Sequence, residues 1–140
     1  PEKHPQSPSI EQDIRYLKAK IDAGADYIVT QMFFNNSDYF RFVELCRLND
    51  IHVPIIPGIK LITKQNQLKS LPKHFSVNIP DDLVGEMESV ESDRHKSEIG
   101  IEFTIKQCEE LLQAGVPAVH FYVMQDVKHI KQIVSTLKKY

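Results

Sequence analysis

The chain has 140 residues, one domain's length, with 17 Lys and Arg against 19 Asp and Glu, a formal net charge of -2 and 41% hydrophobic residues. That balance excludes a strongly basic nucleic-acid binder and a surface built for an anionic membrane, and no apolar run approaches the roughly 20 residues of a membrane-spanning helix. Cys46 and Cys108 form neither a disulfide framework nor a metal-ligand pattern, which fits a reducing, cytoplasmic compartment.

Pro1-Glu2-Lys3-His4-Pro5 contains neither an initiator methionine nor a signal peptide, so the chain is expected to begin inside a longer protein. His4, between prolines, falls in an extended stretch where a histidine is ordinarily just exposed. Ser9 and Gln12 form a capping box ahead of Ile10, Ile14, Leu17 and Ile21, whose spacing predicts a helix closed by Gly24. Tyr27 to Phe34, uncharged and rich in β-branched and aromatic residues, reads as a buried strand. Tyr39, Phe42, Val43 and Cys46 give the next helix, from about Ser37 to Asp50. Val53 to Ile59 predicts a second strand whose two prolines limit its paired length.

Thr63 to Leu71 predicts a short helix ended by Pro72, and Pro80 to Met87 another, with Asp81 and Asp82 suited to the dipole of its first turn. Ser92 to Ala114 gives the longest helix, with Ile101, Ile105, Cys108 and Leu112 on one stripe and Gly115 beyond its end. Ala118 to Met124 predicts a third strand, and Asp126 to Lys138 a last helix carrying Val127, Ile130, Val134 and Leu137. Strands separated by helices imply parallel pairing, hence an α/β fold. Three strands make either a small open sheet or a piece of a (β/α)8 barrel, which takes about 250 residues.

In parallel α/β folds the working residues stand at the carboxyl ends of the strands, here Gln31 to Asn35, Pro57 to Lys60 and Tyr122 to Asp126. Gln31 is an amide inside an apolar strand and must be satisfied either by backbone or by a ligand. Asp13, Tyr16 and Lys20 form one stripe on the first helix, suited to an extended anionic ligand or equally to a solvated face. His120 has no second ligand at metal-binding spacing and reads as a packed core histidine. HExxH, GxSxG, Walker A and GxGxxG are all absent, and no carboxylate stands at a strand end for acid/base work.

Taken together, Pro1 to Pro5, Asp13-x4-Leu17-Lys18-x-Lys20-x-Asp22-Ala23-Gly24-Ala25-Asp26, Thr30-Gln31-x-Phe33-Phe34, Pro57-Gly58-Ile59, Ile79-Pro80 and His120-Phe121-Tyr122 resemble the methylenetetrahydrofolate reductase family over nearly the whole chain. The resemblance implies a (β/α)8 TIM-type barrel, with this chain, residues 1–140, as a single segment covering roughly its C-terminal half in three to four βα units. It implies FAD as cofactor, NADH or NADPH as reductant, and reduction of 5,10-methylenetetrahydrofolate to 5-methyltetrahydrofolate. His4, Asp13 and Lys20 would contact FAD, and Gln31, Gln67 and Tyr122 the folate. The general acid would come from the N-terminal half, so the chain holds no catalytic residue of its own and no metal site, and is expected to be inactive alone. A homo-oligomer is compatible with the resemblance.

Departures from the family pattern are Ala19 and Asp126 where arginines are common, Tyr16 for a polar amide, and Leu71 for a phenylalanine that stacks on substrates. Two other readings compete with the reductase: a small non-catalytic α/β binding domain, and a barrel segment for a different phosphorylated ligand.

Overall fold

Local signals start most helices of the computed structural model, which describes Glu2, residues 7–124 and residues 127–139; His4 and Asp126 lie outside the described residues. Ser9 is extended, and its Oγ accepts from the Gln12 N–H at 3.3 Å to open α1 (Ile10–Asp22). Gly24, at φ 111°, turns the chain into β1 (Ile28–Met32). Asn35 Oδ1 caps α2 (Asn36–Leu48) by accepting from the Ser37 N–H at 3.0 Å. There follow β2 (Ile55–Ile59), α3 (Gln65–Phe75), α4 (Asp81–Glu88), α5 (Asp93–Gln113), β3 (His120–Phe121) and α6 (Val127–Leu137).

The strands lie in the order β1-β2-β3, and both pairs are parallel. Helices connect each strand to the next, as the alternating pattern requires. Pro57 stands on the central strand and brings no N–H to the ladder. Val29 pairs with Ile56 and Met32 with Gly58, so Thr30 and Gln31 together oppose the single residue Pro57. This is a β-bulge, and Thr30 Oγ1 repairs it by accepting from the Gly58 N–H at 3.0 Å.

Three expectations need correction. The first strand does not run from Tyr27 to Phe34: Tyr27 is exposed before the ladder starts, while Phe33 and Phe34 leave it to pack beneath helices. The third strand shrinks from Ala118–Met124 to His120–Phe121, because Gly58 and Ile59 are the β2 residues that pair with it. Pro72 does not end its helix. The missing N–H sacrifices one bond, but Leu68, Leu71 and Val77 bury together and carry α3 on to Phe75. Ser76 then stops it in the left-handed conformation, its N–H bonding the Pro72 carbonyl oxygen at 3.0 Å.

The core has two parts. One joins Ile14 of α1, Tyr39 and Cys46 of α2, Ile55 and Ile59 of β2, Leu111 of α5 and Ile133 of α6. Within it the Tyr39 ring stacks on Phe33 at 5.6 Å, and its hydroxyl donates to the Ile55 carbonyl oxygen at 2.7 Å. The other gathers Met32, Phe34 and Ile62 at the strand ends with Leu71 of α3 and Leu83 and Met87 of α4. Gly100 of α5 lets that helix press directly on the Ile62 carbonyl, where a Cβ has no room. Among the described residues, no helix is long and apolar enough to cross a membrane.

Candidate functional site

An open cleft of about 950 Å³ runs between α1, the outward face of β1 and the end of α3. Alternation along β1 puts Val29 and Gln31 on the exposed face and Thr30 and Met32 on the buried one. On α1, Asp13 and Lys20 turn toward the cleft, being two helical turns apart on one side. Asp13, Lys20 and Gln31 therefore line one space, although the sequence separates a helix from a strand. Ile10, Leu17, Val29 and Phe75 give that space apolar walls beside its polar groups, the usual make-up of a small-molecule site.

Gln31, an amide in an otherwise apolar strand, is exposed on the face of β1 that lines the cleft. Its Oε1 accepts from the Met32 N–H at 3.0 Å, and that bond fixes which end of the amide is which. The Nε2 has no partner among the described residues. Backbone and ligand were the alternative ways to satisfy this side chain, and the structure gives its oxygen to the backbone.

Gln67 stands elsewhere, in the first turn of α3, outside the cleft lining. Its Oε1 accepts from the Thr63 and Lys64 N–H groups at 2.8 and 2.9 Å, which caps the helix. Its Nε2 likewise has no partner among the described residues. Tyr122 also stays out of the cleft lining. Its hydroxyl donates to the Thr30 carbonyl oxygen at 2.9 Å, and its ring meets His120 edge-on at 4.8 Å. Burial pushes the Tyr122 phenol up, so it remains a donor at neutral pH. Lys60, just past β2, donates to the Tyr122 carbonyl oxygen at 3.2 Å and ties the same strand end from the other side.

Sequence reasoning missed the far wall of the cleft, His74 to Val77, because it ended the helix at Pro72. Glu2 also lines the cleft and accepts from the Asn78 N–H and Nδ2 at 3.1 and 3.0 Å. Burial raises the Glu2 carboxyl, and the Asn78 N–H works against that shift. No local pattern could have paired Glu2 with Asn78. Among the described residues there is no group of three or more His, Cys, Asp and Glu side chains arranged to hold a metal.

The profile of the family described as Methylenetetrahydrofolate reductase matches residues 1–138. A Caenorhabditis elegans protein, probable methylenetetrahydrofolate reductase (NADPH), is 38% identical over 136 residues, which cover 96% of this chain and 20% of that protein. Schizosaccharomyces pombe methylenetetrahydrofolate reductase 1 is 33% identical over 138 residues, 98% of this chain and 23% of its own. The 5,10-methylenetetrahydrofolate reductase of Buchnera aphidicola from Schizaphis graminum is 38% identical over 125 residues, 89% of this chain and 43% of its own. The chain thus spans between 20% and 43% of the length of these relatives. A solved structure of an uncharacterised Clostridium thermocellum protein, which binds two copies of 5-methyl-5,6,7,8-tetrahydrofolic acid, superposes with TM-score 0.59 at 20% identity, over 93% of this chain and 48% of that one. That likeness is one of fold. With the family profile running from its first residue to residue 138, and relatives of that name at a third or more identity along almost its whole length, this chain belongs to the methylenetetrahydrofolate reductase family.

Proposed function

We propose that this chain supplies part of the FAD and folate site of an enzyme that reduces 5,10-methylenetetrahydrofolate to 5-methyltetrahydrofolate with NADH or NADPH. The observation that carries the reading is that Asp13, Lys20 and Gln31 line one cleft of about 950 Å³ with apolar walls. A long cofactor with a charged middle and flat ends suits such a space, so the residues present fit FAD. When bound, FAD supplies the hydride relay between the nicotinamide and the folate.

The chain's own residues bind and orient. Asp13 accepts from a ribose hydroxyl, and Lys20 sets its ammonium against the diphosphate as a point charge. Gln31 and Gln67 have lent their oxygens to backbone N–H groups, so each offers its Nε2 as a donor to the folate. Tyr122 holds the strand ends at fixed spacing and shapes the folate side with its ring. His4 belongs to the FAD set by family pattern alone. The proton donor lies outside residues 1–140, and the chain acts as the C-terminal half of a (β/α)8 barrel, for which β1 and β3 both offer an edge.

Purified full-length protein tests this directly. It should be yellow, with a flavin absorbance band, and should oxidise NADH or NADPH when 5,10-methylenetetrahydrofolate is added. Folded protein that is colourless and takes up no FAD would overturn the reading.

A further inference from the structure

The alternation of β2 puts Ile55, Pro57 and Ile59 on one face of the sheet, where all three are buried, and sends Ile56, Gly58 and then Lys60 to the other. Across the ladder Gly58 pairs with His120 and Ile59 with Phe121. The Tyr122 N–H donates to the Ile59 carbonyl oxygen at 2.9 Å and carries the ladder one step further, so Lys60 stands beside Tyr122. Lys60 therefore follows the central strand at its carboxyl end, where parallel α/β folds hold their ligands.

Among the described residues no carboxylate pairs with the Lys60 ammonium. The residue is half-buried rather than enclosed, and the neutral Tyr122 carbonyl oxygen, at 3.2 Å, takes one of its three N–H donors. A cation drawn partly out of water without a counterion is unfavourable, and an anion beside it is the usual remedy. Lys64, the next lysine along, is exposed and keeps its water.

A folate is a flat pterin joined through an aryl spacer to a glutamate that carries two carboxylates. Gln31, Gln67 and Tyr122, the residues proposed to hold it, are all uncharged, so a site made of these three leaves both carboxylates without a cation. We infer that Lys60 determines specificity for the glutamate end of the folate, its two free N–H donors taking a carboxylate beside Tyr122. The inference rests on the folate reading of the site and adds the group that distinguishes a folate from a bare pterin.

Steady-state kinetics of the full-length holoenzyme with two substrates test this, 5,10-methylenetetrahydrofolate and 5,10-methylenetetrahydropteroate, which lacks the glutamate. Lys60→Met should raise KM for the folate about tenfold, more than it lowers kcat, and should add no penalty with the pteroate. Lys60→Gln removes the charge but keeps a donor for the Tyr122 carbonyl oxygen, and should repeat the result even where Lys60→Met fails to fold. Lys60→Arg keeps the charge and should retain most of the affinity. Equilibrium dialysis of labelled 5-methyltetrahydrofolate should show the same tenfold loss without turnover. An equal penalty with both substrates would make Lys60 a tie between strand ends and overturn the inference. So would a KM rise confined to NADH or NADPH, or an equal penalty in Lys64→Met, the mark of a diffuse charge effect. A parent enzyme that turns over neither substrate would instead overturn the proposed function, and this inference with it.

Discussion

The Tyr122 hydroxyl donates to the Thr30 carbonyl oxygen at 2.9 Å, joining the end of β3 to β1 across the intervening β2. The ring reaches that far because Gly58 lies beneath it. A Cβ at Gly58 would fall 2.7 Å from Tyr122 Cε2 and closer still to the Thr30 carbonyl oxygen. Thr30 in turn belongs to the bulge that aims Gln31 into the cleft. One glycine thus connects sheet geometry to the candidate site.

Gly58→Ala should therefore destabilise the protein by about 1–3 kcal/mol, the range for overpacking a tight interior position. The Thr30 carbonyl belongs to β1 and the Tyr122 ring is tied to it by its hydroxyl, so relief requires the strands to part. Urea unfolding monitored by circular dichroism measures it. A midpoint equal to that of the parent would mean that the ring and strands leave room for the added methyl.

Tyr122→Phe keeps the ring and removes the bond, with an expected loss of about 1 kcal/mol. Flavin content should be unaffected, because the tyrosine does not line the cleft holding Asp13 and Lys20. Loss of flavin in this variant would place the hydroxyl in the cofactor site instead of in the sheet.

Lys20→Ala should lower FAD retention after gel filtration, the ammonium being the cleft's charge for a diphosphate on α1. The side chain is exposed, so folding should not change. Unchanged flavin content would remove Lys20 from the site.

Gln31→Glu replaces the free Nε2 donor with an acceptor that carries charge. Folate turnover should fall more than flavin reduction by the nicotinamide, and stopped-flow measurement of the two half-reactions separates them. Equal loss in both would argue against a folate-facing amide.

Burial pushes the Cys108 thiol up to about 12 and the Cys46 thiol to about 11, from an ordinary 9.0. Both should resist Ellman's reagent at pH 8 until denaturant is added, since the thiolate is the reactive form. The unfolded chain ionises these thiols first as the pH climbs past about 9, while the folded chain still holds its protons. Folding stability therefore falls between about pH 9 and 12, and the burial-raised Tyr39 phenol, at about 12, adds to that loss. A melting temperature that stays level from pH 8 to 10.5 would contradict the depth at which these groups are buried.

Much of the fold was legible because its signals are local. Ser9, Asn35 and Ser92 cap helices through bonds to residues two or three positions on, and the apolar stripes of α5 and α6 repeat at helical spacing. Short motifs in fixed order from Asp13 to Tyr122 were likewise enough for the family, and they require no knowledge of contacts.

What needed the tertiary structure depends on register between distant segments. Pro57 forces the bulge only because β2 lies at the centre of the sheet, and a strand's place in a sheet is not written in the strand. Pro72 reads as a helix end until Leu68, Leu71 and Val77 are seen burying together, a gain that outweighs one missing backbone bond. The same holds for the site: Asp13, Lys20 and Gln31 are chemically suggestive one by one, but only the tertiary fold, which sets α1 and the exposed face of β1 on either side of one space, makes them walls of one cleft. The sequence by itself determined the elements, their caps and the family. Tertiary packing decided which way Gln31 faces, where α3 stops and what Tyr122 holds, because each turns on long-range burial that no local pattern encodes.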